Sequence, residues 1–442
     1  MTYIDTLLLT GGFGTRLYPI TMGGVVKPNL ELLNKPLARV SIENYANQGR
    51  RGSLCLPSVH WSRVFSPYIF GYEVETVDGR KHPIYQFCFA DTGRKKIFDD
   101  VSDGDAVSLA LRHDERIVHD KPLLIAMGDT LEVINIRDLE RYHKQMRNLH
   151  GTSMTFCYTL VDPLESKEYG RFVLEDGMVV KTVGKGEDHP SLIANIAVAL
   201  IEPELYQRII EKNEYMLGQG KRPVLYEDLL FGLLIDGFNA AAYEVKDWTD
   251  VERPSSVLRL TSDVLNRGPF SSLFDLRNYE MLDSENYTLW VDRRIAGDLR
   301  RNLGELHLEG PILIGESLIQ PGANITGPVV IGHNCVVCAD TEIGSGPYRG
   351  FTAPSILQNW AKVGPGSIIT GGWVGYNSDI VGTTIQPGSI VGNGIKIYNQ
   401  RLSTDERVAS LADKTEVVGT RKYREIRDLT EDLFVFSEDF ST

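Results

Sequence analysis

The chain has 442 residues, 42% hydrophobic and 24% charged, with 46 Lys plus Arg against 59 Asp plus Glu and a formal net charge of −13. That length predicts two or three domains, and the apolar content predicts ordinary buried cores. The acidic balance argues against a nucleic-acid partner, and five cysteines argue against a disulfide framework. With no charged-then-apolar leader and no apolar stretch near ~20 residues, a cytoplasmic protein without a membrane partner is expected.

Thr6-Leu7-Leu8-Leu9 is a short apolar run, predicted as a buried strand. Gly11, Gly12 and Gly14 then open a tight loop, with Thr15 and Arg16 just inside it. Glycine lets the backbone approach a ligand closely, loop amides can point at phosphate oxygens, and an arginine adds a charge-assisted contact. The pattern therefore predicts a grip on a nucleoside triphosphate. A bare glycine cluster is more often a plain turn, and the spacing is neither the dinucleotide fingerprint nor a P-loop.

With Thr15-Arg16-Leu17 and Pro19, the loop resembles the signature of the sugar-1-phosphate nucleotidyltransferases, or nucleotide-sugar pyrophosphorylases. Lys27-Pro28 and Asn34-Lys35-Pro36 are similar to that family's following segment, although Lys27 lies one residue later than usual and Val26 takes its place. The resemblance implies that Leu9, Gly11, Gly12, Gly14, Thr15 and Arg16 bind the nucleotide and that Lys27 stabilises departing pyrophosphate. It also implies a turn opening a helix for base recognition. Gly104-Asp105-Ala106 has that place, making Gly104 and Ala106 candidates, with Gln86 a further one. Asp91-Thr92-Gly93 is similar to the cytidylyltransferase branch, which leaves the base open.

Leu123 to Met127 reads as a buried strand ending in Gly128-Asp129, where open α/β sheets place their ligand crevice. An aspartate there can hold Mg²⁺, which prefers carboxylate and phosphate oxygens, and a helix cap or turn is the alternative role. The resemblance makes Asp129 a metal ligand and supplies a second at Asp250, within Trp248-Thr249-Asp250. Glu252 and Arg253 stand where the family has glycine and threonine.

Ile136 to Tyr142 reads as a helix and Thr152 to Leu160 as a strand. Tyr169-Gly170-Arg171-Phe172 and the later Gly184-Lys185-Gly186 resemble the family's "Y-G" and "E-K-P" elements, with glycines replacing glutamate and proline. Asn195-Ile196-Ala197 is similar to "N-x-G", with alanine for glycine. The resemblance thus implies a sugar-phosphate site at Lys185, Asn195 and Gly170. Further helices are predicted over 203–212 and 226–236. The alternation favours an α/β sheet over 1–265, and the resemblance implies a Rossmann-like, GT-A-like mixed-sheet nucleotidyltransferase domain.

Residues 266–305 include Asn266-Arg267-Gly268-Pro269 and are expected to be a linker. In 306–400, Leu313, Ile319, Ile325, Ile331, Val337 and Ile343 recur every six residues. The spacing resumes at Ile368, Val374 and Ile380 after a break over 345–354. This period predicts short strands stacking in coils and resembles the left-handed parallel β-helix of hexapeptide-repeat proteins. Its open coil edge invites a homo-oligomer. The charged tail, 401–442, is expected to be helical, with Leu433-Phe434-Val435-Phe436 docking on the body or on a partner.

Cys335-x-x-Cys338 looks like half a metal site, but residues three apart on a strand face opposite ways and no second pair follows. His333 is similar to the basic histidine of hexapeptide acyltransferases, a solvent-facing turn histidine being commoner. The resemblance as a whole implies Mg²⁺-dependent attack of a sugar-1-phosphate on a nucleoside triphosphate, releasing an NDP-sugar and pyrophosphate. Arg16, Lys27, Asp129 and Lys185 are the expected catalytic residues. Two alternatives stand beside it: a non-catalytic regulatory or scaffolding paralogue, and a bifunctional enzyme with acyl transfer at His333.

Overall fold

The computed structural model describes residues 3–10, 15–22, 27–56, 73–76, 78–83, 85–88, 102–410, 421–425 and 433–438. The chain divides into two compact units, Met1–Gly11 with Ala38–Thr249, and Gly12–Leu37 with Asp250–Thr442. By their contacts, Gly12–Leu37 and the residues from Asp250 onward group together in the second unit.

The first unit is built on β1 (Thr6–Leu9), α1 (Leu37–Asn47), β2 (Gly52–Leu56), β3 (Tyr85–Cys88), α2 (Asp103–His113), β4 (Leu123–Met127), α3 (Ile136–His150), β5 (Thr152–Leu160), β6 (Arg171–Glu175), β7 (Met178–Val183), β8 (Ile193–Ile201), α4 (Tyr206–Gly218) and β9 (Asn239–Glu244). One nine-stranded sheet takes the order β5-β9-β7-β6-β8-β4-β1-β2-β3. Strands β4, β1, β2 and β3 run parallel, and β8 joins them antiparallel, so the sheet is mixed as expected. The four residues of β1 are all buried, which is why that strand reads as an unbroken apolar run. Helix α3 shows the complementary pattern. Asn135 caps it by accepting the Arg137 and Asp138 amides, and Ile136, Leu139, His143 and Met146 form its buried stripe. Among the described residues, no helix is long and apolar enough to cross a membrane.

The second unit contains α5 (Pro254–Leu265), β10 (Tyr279–Asp283), β11 (Tyr287–Asp292), α6 (Ala296–Asn302) and β12 (His307–Ile314). The stretch expected as a linker is thus structured. Strands β10 and β11 form an antiparallel hairpin, and β11 pairs parallel with β12, the first strand of the coils. From there short parallel strands stack in ladders such as Leu357–Val374–Val391–Val408, one residue every 17 along the chain. Ile319, Val337, Val363, Ile380 and Ile397 make a second ladder, and Ile325, Ile343, Ile369, Ile385 and Leu402 a third. All fourteen of these ladder positions are buried, the signature of a three-faced parallel β-helix core.

Two repeat positions move by one residue. Ile314 and Ile369, not Leu313 and Ile368, point into the coil core, and Ile368 is 38% exposed. Side chains on a strand alternate sides, so a corner shortened from six residues to five changes which neighbour faces inward. The break over 345–354 is an inserted hairpin, Gly346–Tyr348 with Phe351–Ala353, and Arg259 of α5 lies over the Phe351 ring at 5.4 Å. The tail forms strands and not the helix expected. Arg401–Leu402 and Arg407–Ser410 are coil strands, and Leu433–Glu438 pairs antiparallel with both Arg407–Ser410 and Arg421–Glu425. The last coil presents unpaired backbone groups, and a tail strand satisfies them where a helix would not.

Candidate active site

In the first unit, Leu9 and Gly128-Asp129 lie where two neighbouring parallel strands end. Leu9 pairs with Met127 in register, and the Gly128 amide donates to Leu9 O at 2.7 Å. A Cβ on Gly128 would lie 2.8 Å from Thr10 Cγ2 and 3.1 Å from Leu9 O, so only glycine lets these two strand ends close. Asp129 follows, half-buried. Leu9 itself is buried and offers backbone, not side chain, to a ligand. Three residues on, the fully buried Glu132 accepts a hydrogen bond from the Tyr45 hydroxyl. Burial pushes its carboxyl up to about 8, opposed by the Tyr45 and Thr130 hydrogen bonds and reinforced by the Asp129 charge. A neutral acid therefore stands behind Asp129 at pH 7. No sequence motif marked it.

The sugar-phosphate candidates occupy the middle strands. The Asn195 amide donates to Gly170 O at 2.8 Å, which brings those two together. Asn195 Oδ1 accepts the Ala197 amide at 3.0 Å, and Ala197 sits at φ 57° inside a bulge against β5. That left-handed position explains why a glycine suits it better than the alanine present. Lys185 lies exposed in a turn after β7, in which the Glu187 amide donates to Gly184 O at 3.3 Å. Arg171 organises the loop behind it. Its fully buried guanidinium donates to Glu187 O at 2.5 Å, His189 O at 2.8 Å and Ser191 O at 3.2 Å. The Tyr-Gly-Arg-Phe motif contained this residue without revealing its role.

Among the nucleotide candidates, Gly11, Gly12 and Gly14 lie outside the described residues. Thr15 opens a single 3-10 turn, Thr15–Leu17, and its side chain is also outside them. Gln86 lies on β3, with its side chain outside the described residues. Gly104 and Ala106 are in the first turn of α2, capped by Ser102, and both are buried. A Cβ on Gly104 would meet Pro223 O at 2.6 Å, so this turn faces its own unit's packing.

The cations and the second carboxylate belong to the second unit. Lys27 Nζ lies 3.2 Å from Asp250 Oδ1, with 7% and 19% of the two side chains exposed. Arg16 pairs with Glu252. Burial would raise the Glu252 carboxyl, but the Arg16 and Lys27 charges overcome it and hold the group below its ordinary value. Glu252 is the residue that departs from the family's glycine, so the departure in the sequence was the signal for it. Asp129 in the first unit and Asp250 in the second each carry hard carboxylate oxygens, the donor type that Mg²⁺ prefers. Among the described residues, no group of three or more His, Cys, Asp or Glu is placed to hold a metal ion by itself.

In the coils, His333 Nδ1 accepts the Glu316 amide at 3.0 Å, which leaves Nε2 as the protonated nitrogen of a neutral ring. Burial lowers its pKa. It borders a cleft of about 310 Å³ with Asn34, Lys35, Tyr279, Asp292 and Arg294. Cys335 lies in the coil core, where burial pushes its thiol up to about 11, and Cys338 is half-buried.

A UTP–glucose-1-phosphate uridylyltransferase of Synechocystis is 22% identical over 377 residues, covering 82% of this chain and 85% of its own. A probable mannose-1-phosphate guanylyltransferase 3 of Oryza sativa subsp. japonica is 27% identical over 338 residues, covering 76% and 78%. Mannose-1-phosphate guanylyltransferase 1 of Arabidopsis thaliana is 23% identical over 402 residues, covering 90% of each chain. The nucleotidyl transferase family matches residues 5–267, a span that runs from β1 through Asp129, Lys185 and Asp250 to the end of α5. With well over half of its length so matched, the chain belongs to the nucleotidyl transferase family.

Proposed function

We propose that the protein transfers a nucleotidyl group to a sugar-1-phosphate, with uridylyl or guanylyl transfer the reactions to try first because the similar proteins carry those names. The observation that carries this reading is the contact of Lys27 with Asp250 inside the matched span, which joins two signature motifs far apart in sequence. An oxygen of the sugar phosphate attacks the α-phosphorus of the triphosphate, and the bond to the β-phosphate oxygen breaks. Pyrophosphate leaves, and an NDP-sugar remains. The protein forms no covalent intermediate. Its task is to align two polyanions and offset their repulsion.

In this reading the loop amides and Arg16 hold the triphosphate, Lys27 offsets charge on the leaving pyrophosphate, and Lys185, from its exposed turn, meets the sugar phosphate. Asn195 and Gly170 supply backbone and amide contacts beside it. Asp129 and Asp250 would hold Mg²⁺, which when bound neutralises phosphate charge. The test is pyrophosphate release from UTP or GTP with glucose-1-phosphate or mannose-1-phosphate, in the presence of Mg²⁺. Turnover that is lost in Asp129→Ala and Lys27→Ala supports the reading, and turnover of no pair refutes it.

One observation favours a second reading, a non-catalytic paralogue that binds nucleotide-sugars. Glu252 engages Arg16, the cation assigned to the triphosphate. Tight binding of an NDP-sugar without turnover of any substrate pair would decide for it.

A further inference from the structure

The stretch between Arg16 and Lys27, and the hairpin after it, are fastened to the β-helix by contacts that the reaction itself does not require. His333, Asn359, Tyr376 and Asn393 occupy the same corner of successive coils. Their stacking is direct, since the Trp360, Asn377 and Gly394 amides donate to the His333, Asn359 and Tyr376 carbonyls at 2.9, 3.1 and 2.7 Å. Two of these corners hold asparagine, and each uses its side chain in the same two ways. Asn359 Oδ1 accepts the His333 amide at 2.6 Å, and Asn393 Oδ1 accepts the Tyr376 amide at 2.8 Å. Both nitrogens then turn to the loop segment. Asn359 Nδ2 donates to Glu31 Oε2 at 2.7 Å, and Asn393 Nδ2 donates to Ile20 O at 3.2 Å and Met22 O at 2.7 Å.

The surroundings reinforce these fastenings. Arg407 Nη1 donates to Tyr18 O at 3.0 Å, and Asn34 Nδ2 donates to the Tyr279 hydroxyl at 2.9 Å. The Met22 side chain belongs to the coil core. A Cβ on Gly392 would stand 2.9 Å from Met22 Sδ and 3.2 Å from Pro19 Cβ, so the coil backbone approaches this segment as closely as glycine allows. One fastening lies between Arg16 and Lys27, and the other lies just beyond Lys27.

Resting on the nucleotidyl-transfer reading, we infer that Asn393 and Asn359 are positioning residues for the nucleoside triphosphate. They hold the segment bearing Arg16 and Lys27 in its binding conformation, so that the β-helix sets triphosphate affinity. A segment ordered in advance does not lose that freedom when the ligand arrives.

Asn393→Asp isolates the effect. It keeps an acceptor for the Tyr376 amide, removes both donors to Ile20 and Met22, and turns a carboxylate toward their carbonyls. Tyr376→Ala, at the same corner one coil away, is the control. The expected result is a KM for the triphosphate about tenfold above the control, the factor matching about 1.4 kcal/mol of lost contact. The KM for sugar-1-phosphate and the unfolding midpoint should equal the control's. Hydrogen exchange should quicken at the Ile20 and Met22 amides, which donate to Leu17 O and Pro19 O at 2.9 and 3.0 Å. An unchanged triphosphate KM, unchanged exchange, or an equal rise in both KM values with a lowered midpoint overturns the inference. If the unmutated chain turns over no substrate pair, the nucleotidyl-transfer reading fails by itself. Exchange at these two amides and equilibrium binding of UTP and GTP then decide the positioning claim.

Discussion

The Lys27 ammonium and the Asp250 carboxylate stand 3.2 Å apart, both largely withdrawn from water, although 223 residues separate them in the chain. A pair so placed is expensive to break from one side, because the remaining charge stays buried. Asp250→Ala is expected to lower the unfolding free energy by about 3 kcal/mol, and Lys27→Met to do much the same. The double variant should cost clearly less than the sum. Urea unfolding of the four proteins checks this, and additive losses would show that the two groups do not interact.

Arg16 is 68% exposed and yet engaged by Glu252. A triphosphate that uses Arg16 has to displace that carboxylate, so Glu252→Gln is expected to lower the triphosphate KM. The gain should be about two- to fivefold, the scale of an exposed ion pair, and should shrink in high salt. Because the Arg16 and Lys27 charges hold the Glu252 carboxyl below its ordinary value, it is charged at neutral pH, and the gain should be present there. Equal KM values for the variant and the unmutated chain at low salt would rule out competition.

Glu132 leads to a stability prediction. Its pKa rises from 4.5 in the unfolded chain to about 8 in the fold, so between those values the folded protein holds a proton that the unfolded chain lacks. Stability should therefore fall as pH rises from 4.5 to 8, with a slope approaching about 1.4 kcal/mol per pH unit from this group. Glu132→Gln, which stays neutral, should remove that part of the slope and be the more stable protein at pH 8. Parallel pH-stability curves for the two would show that Glu132 is ionised in the fold.

Lys185 and Arg171 should separate by readout. Lys185→Ala removes an exposed side chain, so it should keep the unfolding midpoint and raise the KM for sugar-1-phosphate at least tenfold, consistent with loss of a charge-assisted contact. Arg171→Met leaves three loop carbonyls without their donor and should cost about 3 kcal/mol of stability as well. Thermal unfolding beside initial-rate kinetics distinguishes them. A Lys185→Ala enzyme with unaltered sugar-phosphate KM would remove that residue from the site.

Some of this was legible in the linear chain for clear reasons. Strand Leu123–Met127 begins and ends where its apolar run does, because it is buried along nearly its whole length, and Thr152–Leu160 carries the β-branched and aromatic residues that suit a strand. The coils were legible because each strand buries the same kind of residue at a short, repeated interval. The two misplaced positions, Leu313 and Ile368, fall where a corner is one residue shorter, a change in parity that the neighbouring aliphatic disguises. The tail was misread because strand formation there depends on the open edge of Arg407–Ser410, far from the residues that complete it.

The candidate site divides along the same line. The glycine loop, the strand-end Gly128-Asp129 and the Trp-x-Asp element stand out as candidates within a few residues each, since the proposed phosphate and metal contacts draw on local chemistry. Glu132, Arg171 and the corner asparagines do not, because their roles come from partners: a tyrosine hydroxyl, three loop carbonyls, and the backbone of a segment more than 300 residues away. The order of residues thus determined the sheet, the coils and the candidates proposed for phosphate contact, all of which follow from periodicity and side-chain type over short stretches. Only the folded chain decided that Gly12–Leu37 joins the β-helix unit and that Lys27 meets Asp250. Burial and hydrogen-bond pairing between distant segments leave no periodic trace in either one alone.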